Sequence, residues 1–277
     1  MLTRRQFIAG CVGVAAVGTG LWIYTTEAEP FWVQITRRPL PIRGLPEGLI
    51  GARLVHLSDI HVGERVPDDY VLGAFEQIDA LRPDILVVSG DLTQASGANH
   101  ASSVYERIPR GRLATVCTLG NHDYGRGWSE PEKADALTAM LRSHGVTVLR
   151  NETLEVGGLQ IIGMDDLWAG RFHPKQAFAT ADLSAPAICL SHNPDSVDEA
   201  GWEGFEGWIL AGHTHGGQCK PPFLAPPQLP VVNKRYTSGE FELDGGRRIY
   251  ISRGLGFLRQ VRFNARPEVT LFELTRA

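Results

Sequence analysis

Five short apolar runs in this chain each stop at a cluster of glycine and metal-ligating residue types, and this repeated pairing restricts the fold more than any other feature. Arg53–Ser58 leads into Asp59 and His61, and Asp84–Ser89 into Gly90 and Asp91. Ala114–Leu119 leads into Gly120, Asn121, His122 and Asp123. Ala187–Leu190 leads into Ser191 and His192, and Gly207–Leu210 into Gly212, His213 and His215. Short apolar runs of this kind read as buried strands. In open α/β sheets the carboxyl ends of strands border the ligand crevice, so five separate segments deliver ligand-type side chains to one edge. A single Asp or His at a strand end is ordinarily a capped or solvated loop residue. Recurrence after all five of these runs, with glycine at three of the five turns to permit close backbone approach, argues against that reading for the set.

Between the runs lie helical patterns. Tyr70–Leu81 places Leu72, Phe75, Ile78 and Leu81 on one side, a second helix is expected near Ala101–Ile108, and Pro131 opens a third that runs to Ser143. Strands alternating with such helices imply a layered α/β domain. The second half changes character. Thr153–Val156 and Leu159–Met164 flank Gly157-Gly158, and Phe241–Leu243 and Arg248–Ser252 flank Asp244-Gly245, two hairpin signals. Val269–Leu274 supplies a last strand, and no internal repeat or long linker is evident.

At 277 residues, 43% hydrophobic and 21% charged, the chain can bury a substantial core. Its formal charge of -4 gives no general attraction to nucleic acid or to anionic membrane; no nucleic-acid partner is expected, and a phosphate-bearing substrate must be held by local cations. Cys11, Cys117, Cys189 and Cys219 show no Cys-x-x-Cys spacing. A zinc knuckle is therefore unsupported, and no obligatory disulfide is expected.

Thr3-Arg4-Arg5-Gln6-Phe7-Ile8 opens the chain, and an apolar, small-residue run follows to about Thr26. A cationic segment before a moderately hydrophobic one is an export-signal pattern, and adjacent arginines followed by Gln and Phe resemble a twin-arginine signal. The implied partner is the twin-arginine translocase, and the implied location is extracytoplasmic (periplasm), exported or anchored to the membrane. The division expected is residues 1–28 as signal or anchor, 29–48 as a lead-in with an edge strand, and 49–277 as the catalytic domain.

Carboxylate, imidazole and amide donors without thiolate suit borderline divalent metals such as Mn, Fe or Zn, and a structural zinc–thiolate site is disfavoured. Two such ions need a shared anion, for which Asp91 is the natural candidate. A metal pair activates water and offsets phosphoryl charge.

The five blocks, in this order, resemble the calcineurin-like metallophosphoesterases: Asp59-x-His61, Gly90-Asp91, Gly120-Asn121-His122-Asp123, His192 and Gly212-His213-x-His215. The resemblance runs from about Leu54 to the C-terminus. It implies an α/β fold, a four-layer αββα sandwich, with two divalent metals at the strand ends. By resemblance, Asp59, His61, Asp91 and His215 hold one metal and Asp91, Asn121, His192 and His213 the other. A hydroxide between them would attack phosphorus in line. His122 would contact the phosphoryl oxygen or protonate the leaving group, and Asp123 would orient His122. One departure is Gln94, where the family often carries a second Asp; it puts the tuning of the metals in doubt.

Ser191–Pro194, Gly212–Gln218 and Asp166–Gly170, together with the leader, resemble the exported bacterial YkuE-like phosphodiesterases. Relatives of that branch include hydrolases of UDP-diacylglucosamine. The expected activity is a phosphodiesterase, with a pyrophosphatase of a nucleotide-linked lipid as the nearest alternative. A non-catalytic scaffold is disfavoured because every expected ligand is present. The Pro-rich segment Cys219–Val232, the loop Gly254–Leu258 and the cations Arg253, Arg259, Arg262 and Arg266 have two readings. By default they pack the site walls and form a solvated face; alternatively they form a lipid-facing rim. Trp168 has the shape to stack on a base or sugar, with packing as the default reading.

Overall fold

A computed structural model describes residues 3–94 and 98–277, with the side chains of residues 98–100 excepted. Among the described residues, twelve strands form two mixed six-stranded sheets. The first contains β1 (Gln34–Ile42), β2 (Arg53–Leu57), β3 (Ile85–Ser89), β4 (Ala114–Thr118), β5 (Thr147–Val148) and β12 (Glu268–Arg276), in the order β1-β12-β2-β3-β4-β5. The second contains β6 (Glu152–Val156), β7 (Leu159–Gly163), β8 (Ala187–Leu190), β9 (Gly207–Ala211), β10 (Gly239–Glu242) and β11 (Arg247–Ile251), in the order β10-β11-β9-β8-β7-β6. β2 to β5 run parallel, as do β7, β8, β9 and β11, so the carboxyl ends of the central strands of each sheet share one edge.

Strand alternation sorts the side chains into layers. Leu54, Ile85, Val87 and Val116 face Ile161, Ile188, Leu190 and Leu210 across the gap between the sheets. Their neighbours Val55, Leu57, Leu86, Val88 and Cys117 pack outward on Phe75, Ile78, Val104, Leu137 and Leu141. Those residues belong to α2 (Asp68–Leu81), α3 (Ala98–Tyr105) and α4 (Pro131–Ser143). The far face of the second sheet, with Ile162, Cys189, Ile209 and Ile251, is covered by Ala177, Val197, Trp202, Phe205 and Tyr236. The four-layer sandwich is therefore present, but its fourth layer is thin: one short helix, α5 (Pro174–Ala179), and irregular segments carrying aromatic side chains.

Helix bounds agree closely with the periodicity for α2 and α4. The helix expected at Ala101–Ile108 instead occupies α3, three residues earlier. Ile108 still packs in the core, from the turn after the helix. The lead-in is bound into the sheet: β1 runs parallel to β12, from Gln34 opposite Glu268 to Ile42 opposite Arg276. Before it stands α1 (Arg4–Ile23), with Thr3 capping its first turn and none of its residues buried.

Candidate metal centre

The strand ends converge as two triads of buried donors. Asp59, His61 and His215 form one and Asp91, His192 and His213 the other; within each, the donor atoms lie within 4.8 Å of one another. In the first, His61 Nε2 lies 3.1 Å from His215 Nε2, and His215 Nε2 lies 3.3 Å from Asp59 Oδ1. In the second, His213 Nδ1 lies 3.2 Å from His192 Nε2, and His192 Nε2 lies 3.2 Å from Asp91 Oδ2. That same Asp91 oxygen is 3.6 Å from His61 Nε2, so one carboxylate stands between the triads.

The backbone that achieves this is unusual. Asp59, His61, Asp91, His213 and His215 all have left-handed φ angles, between 50° and 70°, a region that side chains other than glycine seldom enter. Such strain collects at functional sites, where the surrounding structure holds it in place. Backbone bonds provide the hold: Asp59 N–H donates to the Gly90 carbonyl, His61 N–H to the Asp91 carbonyl, and His213 N–H to both Asp59 carboxylate oxygens at 3.0 Å. Two glycines make room. A Cβ at Gly120 would lie 2.3 Å from Asp91 Oδ1, and one at Gly212 only 1.7 Å from Ser58 Oγ.

The electrostatics fit cations. Burial pushes His61, His213 and His215 down to about 3, so each ring is neutral with a lone pair to offer. Burial also opposes charge on His192, but Asp91 beside it, with Asp59 and Asp166, outweighs that and raises it to about 10. Burial likewise disfavours ionised Asp91, yet His192, His122 and His61 hold its carboxyl well below the usual range. A cation in this space would take the place of the proton on His192. The Asn121 carboxamide is buried with neither its oxygen nor its nitrogen hydrogen-bonded, a costly state for a polar group unless a ligand completes it. The structure thus brings Asn121 to the site with an unused oxygen.

Further residues orient these donors. His192 Nδ1 lies 2.8 Å from the Ser89 carbonyl, a bond that makes Nδ1 the protonated nitrogen and frees Nε2. Ser89 is itself fixed: its hydroxyl pairs with His56 Nε2 at 2.7 Å, and Ser58 Oγ donates to its carbonyl. His122 is half-buried at the mouth, its N–H donating to Asp91 Oδ1 at 2.9 Å and its ring edge-on to His61 at 5.0 Å. Asp123 corrects an expectation. Its oxygens accept from the N–H groups of Leu92, Thr93 and Gly120 and from the Thr93 hydroxyl. It therefore fastens the turn 120–124 to the turn after β3 rather than orienting His122.

Three residues take places that differ from their default reading in the sequence. Asp166 is buried with one oxygen unpartnered, and burial raises its carboxyl to about 7. It lies just beyond β7, so the strand-end rule applied to that run would have found it. Trp168 stands edge-on to His213 at 4.4 Å and packs on Trp128 at 4.7 Å, so it lines the site rather than filling the core. Arg262, expected on a solvated face, is wholly buried; it donates to the carbonyls of Arg253, Gly254, Gly256 and Ala265 and lies 3.4 Å from His215 Nδ1. Leu255 and Phe257 are buried as wall packing, whereas Phe223 and Leu224 are exposed.

Comparison with known proteins agrees with this geometry. A family model for calcineurin-like phosphoesterases matches residues 52–217. The chain is 32% identical to the phosphodiesterase YaeI of Escherichia coli strain K12, over 99% of this chain and 100% of that protein. It is 31% identical to the uncharacterized metallophosphoesterase YkuE of Bacillus subtilis strain 168, over 99% and 98%. It is 26% identical to the UDP-2,3-diacylglucosamine pyrophosphatase LpxG of Chlamydia trachomatis serovar D, over 98% of each.

Proposed function

The chain belongs to the calcineurin-like phosphoesterase family and is a metal-dependent phosphoester hydrolase, and from that premise we propose that it is a phosphodiesterase. In this reading Asp59, His61, Asp91 and His215 hold one divalent ion, Asp91, Asn121, His192 and His213 hold the other, and Asp91 is shared. The observation that carries it is the Asp91 Oδ2 position, 3.6 Å from His61 Nε2 and 3.2 Å from His192 Nε2. The donor chemistry suits Mn, Fe or Zn.

When bound, the ions supply charge that lowers the pKa of water and offsets the charge of a phosphoryl group. The chain supplies the rest. Ser89 and Asp123 keep His192 and the two turns in register. His122, half-exposed over the shared carboxylate, is placed to meet a phosphoryl oxygen and to give a proton to the departing alkoxide. Trp168 and Trp128 form an aromatic wall beside His213 that shapes what enters.

We also assign the chain to the outer face of a membrane. The helical stretch that begins with α1 is long and apolar enough to cross one, with an 18-residue window of mean hydropathy 1.8. Its leading Arg4 and Arg5 favour an N-inside orientation, and Thr3–Phe7 suits the twin-arginine translocase. The LpxG similarity and α1 together favour one second reading, a pyrophosphatase of a nucleotide-linked lipid.

The test compares manganese-loaded protein on a bis-aryl phosphate and on the mono-aryl phosphate. A higher kcat/KM on the diester is expected. A clear preference for the monoester would overturn the diesterase assignment, and hydrolysis of neither with turnover of a nucleotide-linked lipid pyrophosphate would establish the second reading.

A further inference from the structure

α1 and the metal centre meet at one short segment, residues 259–266. At the base of the helix, the Thr25 carbonyl accepts from Arg262 N–H at 2.9 Å, and the Thr26 carbonyl accepts from Gln260 Nε2 at 3.0 Å. Glu29, fully buried, accepts from Ala265 N–H at 2.7 Å. Trp32 lies under the Arg266 guanidinium, 3.8 Å from ring centre to carbon. The opposite side of the same segment holds the chain that follows His215: Phe263 N–H donates to the Gln218 carbonyl, Lys220 N–H to the Phe263 carbonyl, and Asn264 Nδ2 to the Lys220 carbonyl. Arg262 lies between them, against His215.

Three residues beyond Lys220 stands Phe223, entirely exposed and in a left-handed turn with φ 66°, followed by Leu224 at 66% exposure. Three residues reach at most about 10 Å, so this apolar tip lies close to the exit of α1. Twenty helical residues span roughly 30 Å, the thickness of a bilayer core. Trp22, Tyr24 and Trp32 mark the exit with exposed or part-exposed aromatic rings, the residue types that settle at a membrane interface. Lys220, Arg259 and Arg266 add cations on the same side, suited to anionic headgroups.

We propose that the tip Pro221–Leu224 docks into the interface of the same bilayer that α1 crosses. The membrane then holds the domain at two points, and the mouth beside His122 and the 219–232 segment opens on the headgroup layer, where the phosphate of an amphiphilic substrate lies. The inference rests on the membrane-anchored reading given above.

The test uses the full chain with Cys11→Ser and Cys219→Ser, carrying an environment-sensitive nitrobenzoxadiazole label at Leu224→Cys, reconstituted in phosphatidylethanolamine–phosphatidylglycerol vesicles. A second label at Glu203→Cys, beyond the amino end of β9, serves as reference. Expected are a blue-shifted emission at position 224 and quenching by shallow nitroxide lipids, with neither at 203, and bis-aryl phosphate turnover equal to that of the unlabelled protein. If the protein stays with vesicles in high salt while the label at 224 emits as in water and escapes quenching, docking is wrong and anchoring stands. If the protein leaves the vesicles in high salt, the anchored reading fails and the inference falls with it.

Discussion

Gly212→Ala is the substitution that most directly probes the packing of the two sheets at the site. The residue follows β9 and precedes His213, whose N–H donates to both oxygens of Asp59. A methyl group there would sit 1.7 Å from Ser58 Oγ and 2.3 Å from Asp59 Oδ2, where ordinary contact begins near 3.4 Å. The Asp59 carboxylate must then move by about an ångström, or the ends of β2 and β9 must part. Overpacking of this kind costs about 1–3 kcal/mol in stability, and an ångström of misplacement costs about 10²-fold in rate. The matched control is Gly73→Ala, inside α2, where an added Cβ meets nothing within 4 Å. It should gain about 0.5–1 kcal/mol from helix propensity and keep its rate. The assay is kcat/KM on a bis-aryl phosphate with manganese, with thermal melts and metal content measured on the same samples. Wild-type kcat/KM and full metal content in Gly212→Ala would refute the claim that this close approach fixes Asp59.

Asp91→Asn removes the charge that stands between the triads and should lower kcat by more than the roughly 10–100-fold that follows loss of an outer partner; a near-normal rate in steady-state assays would contradict a shared role. Chelation leaves the Asn121 amide and the paired imidazoles without their ions, so EDTA should lower the melting temperature by about 5–10 °C in calorimetry, with manganese restoring it; equal melts with and without metal would contradict the assignment. His56, buried against Ser89, is pushed by burial from 6.5 to about 3. The unfolded chain therefore takes up its proton first as pH falls, so the stability it protects is complete above about 6.5 and drains away toward 3. Between pH 6.5 and 5 this amounts to roughly 2 kcal/mol, and His56→Gln should show a shallower loss in urea unfolding over that interval; parallel slopes in the two proteins would refute it.

What the sequence made legible was local. The runs ending at Asp59, Asp91, Asn121, His192 and His213 could be read because an apolar strand and the polar turn after it are contiguous, and an α/β sheet places such turns at one edge whatever the partners. The left-handed φ angles at Asp59, His61, Asp91, His213 and His215 could not be read. They are imposed on residues that resist them by bonds to turns dozens of positions away, such as Asp59 N–H to the Gly90 carbonyl. Asp123 shows the same division: its place after a strand was plain, but its direction depended on the N–H groups of Leu92 and Thr93. β5, two residues long, and α5, six, were too short to carry a period, and α5 is the one short helix of the thin fourth layer. The default reading missed Arg262 because one of several closely spaced arginines looks solvated in a sequence; what buries it is the convergence of the α1 exit, the 253–256 carbonyls and His215. Side-chain type thus marks where ligands arise, while long-range backbone pairing decides where they point. That asymmetry explains why Gly212, which contributes no donor at all, governs the position of Asp59, which does.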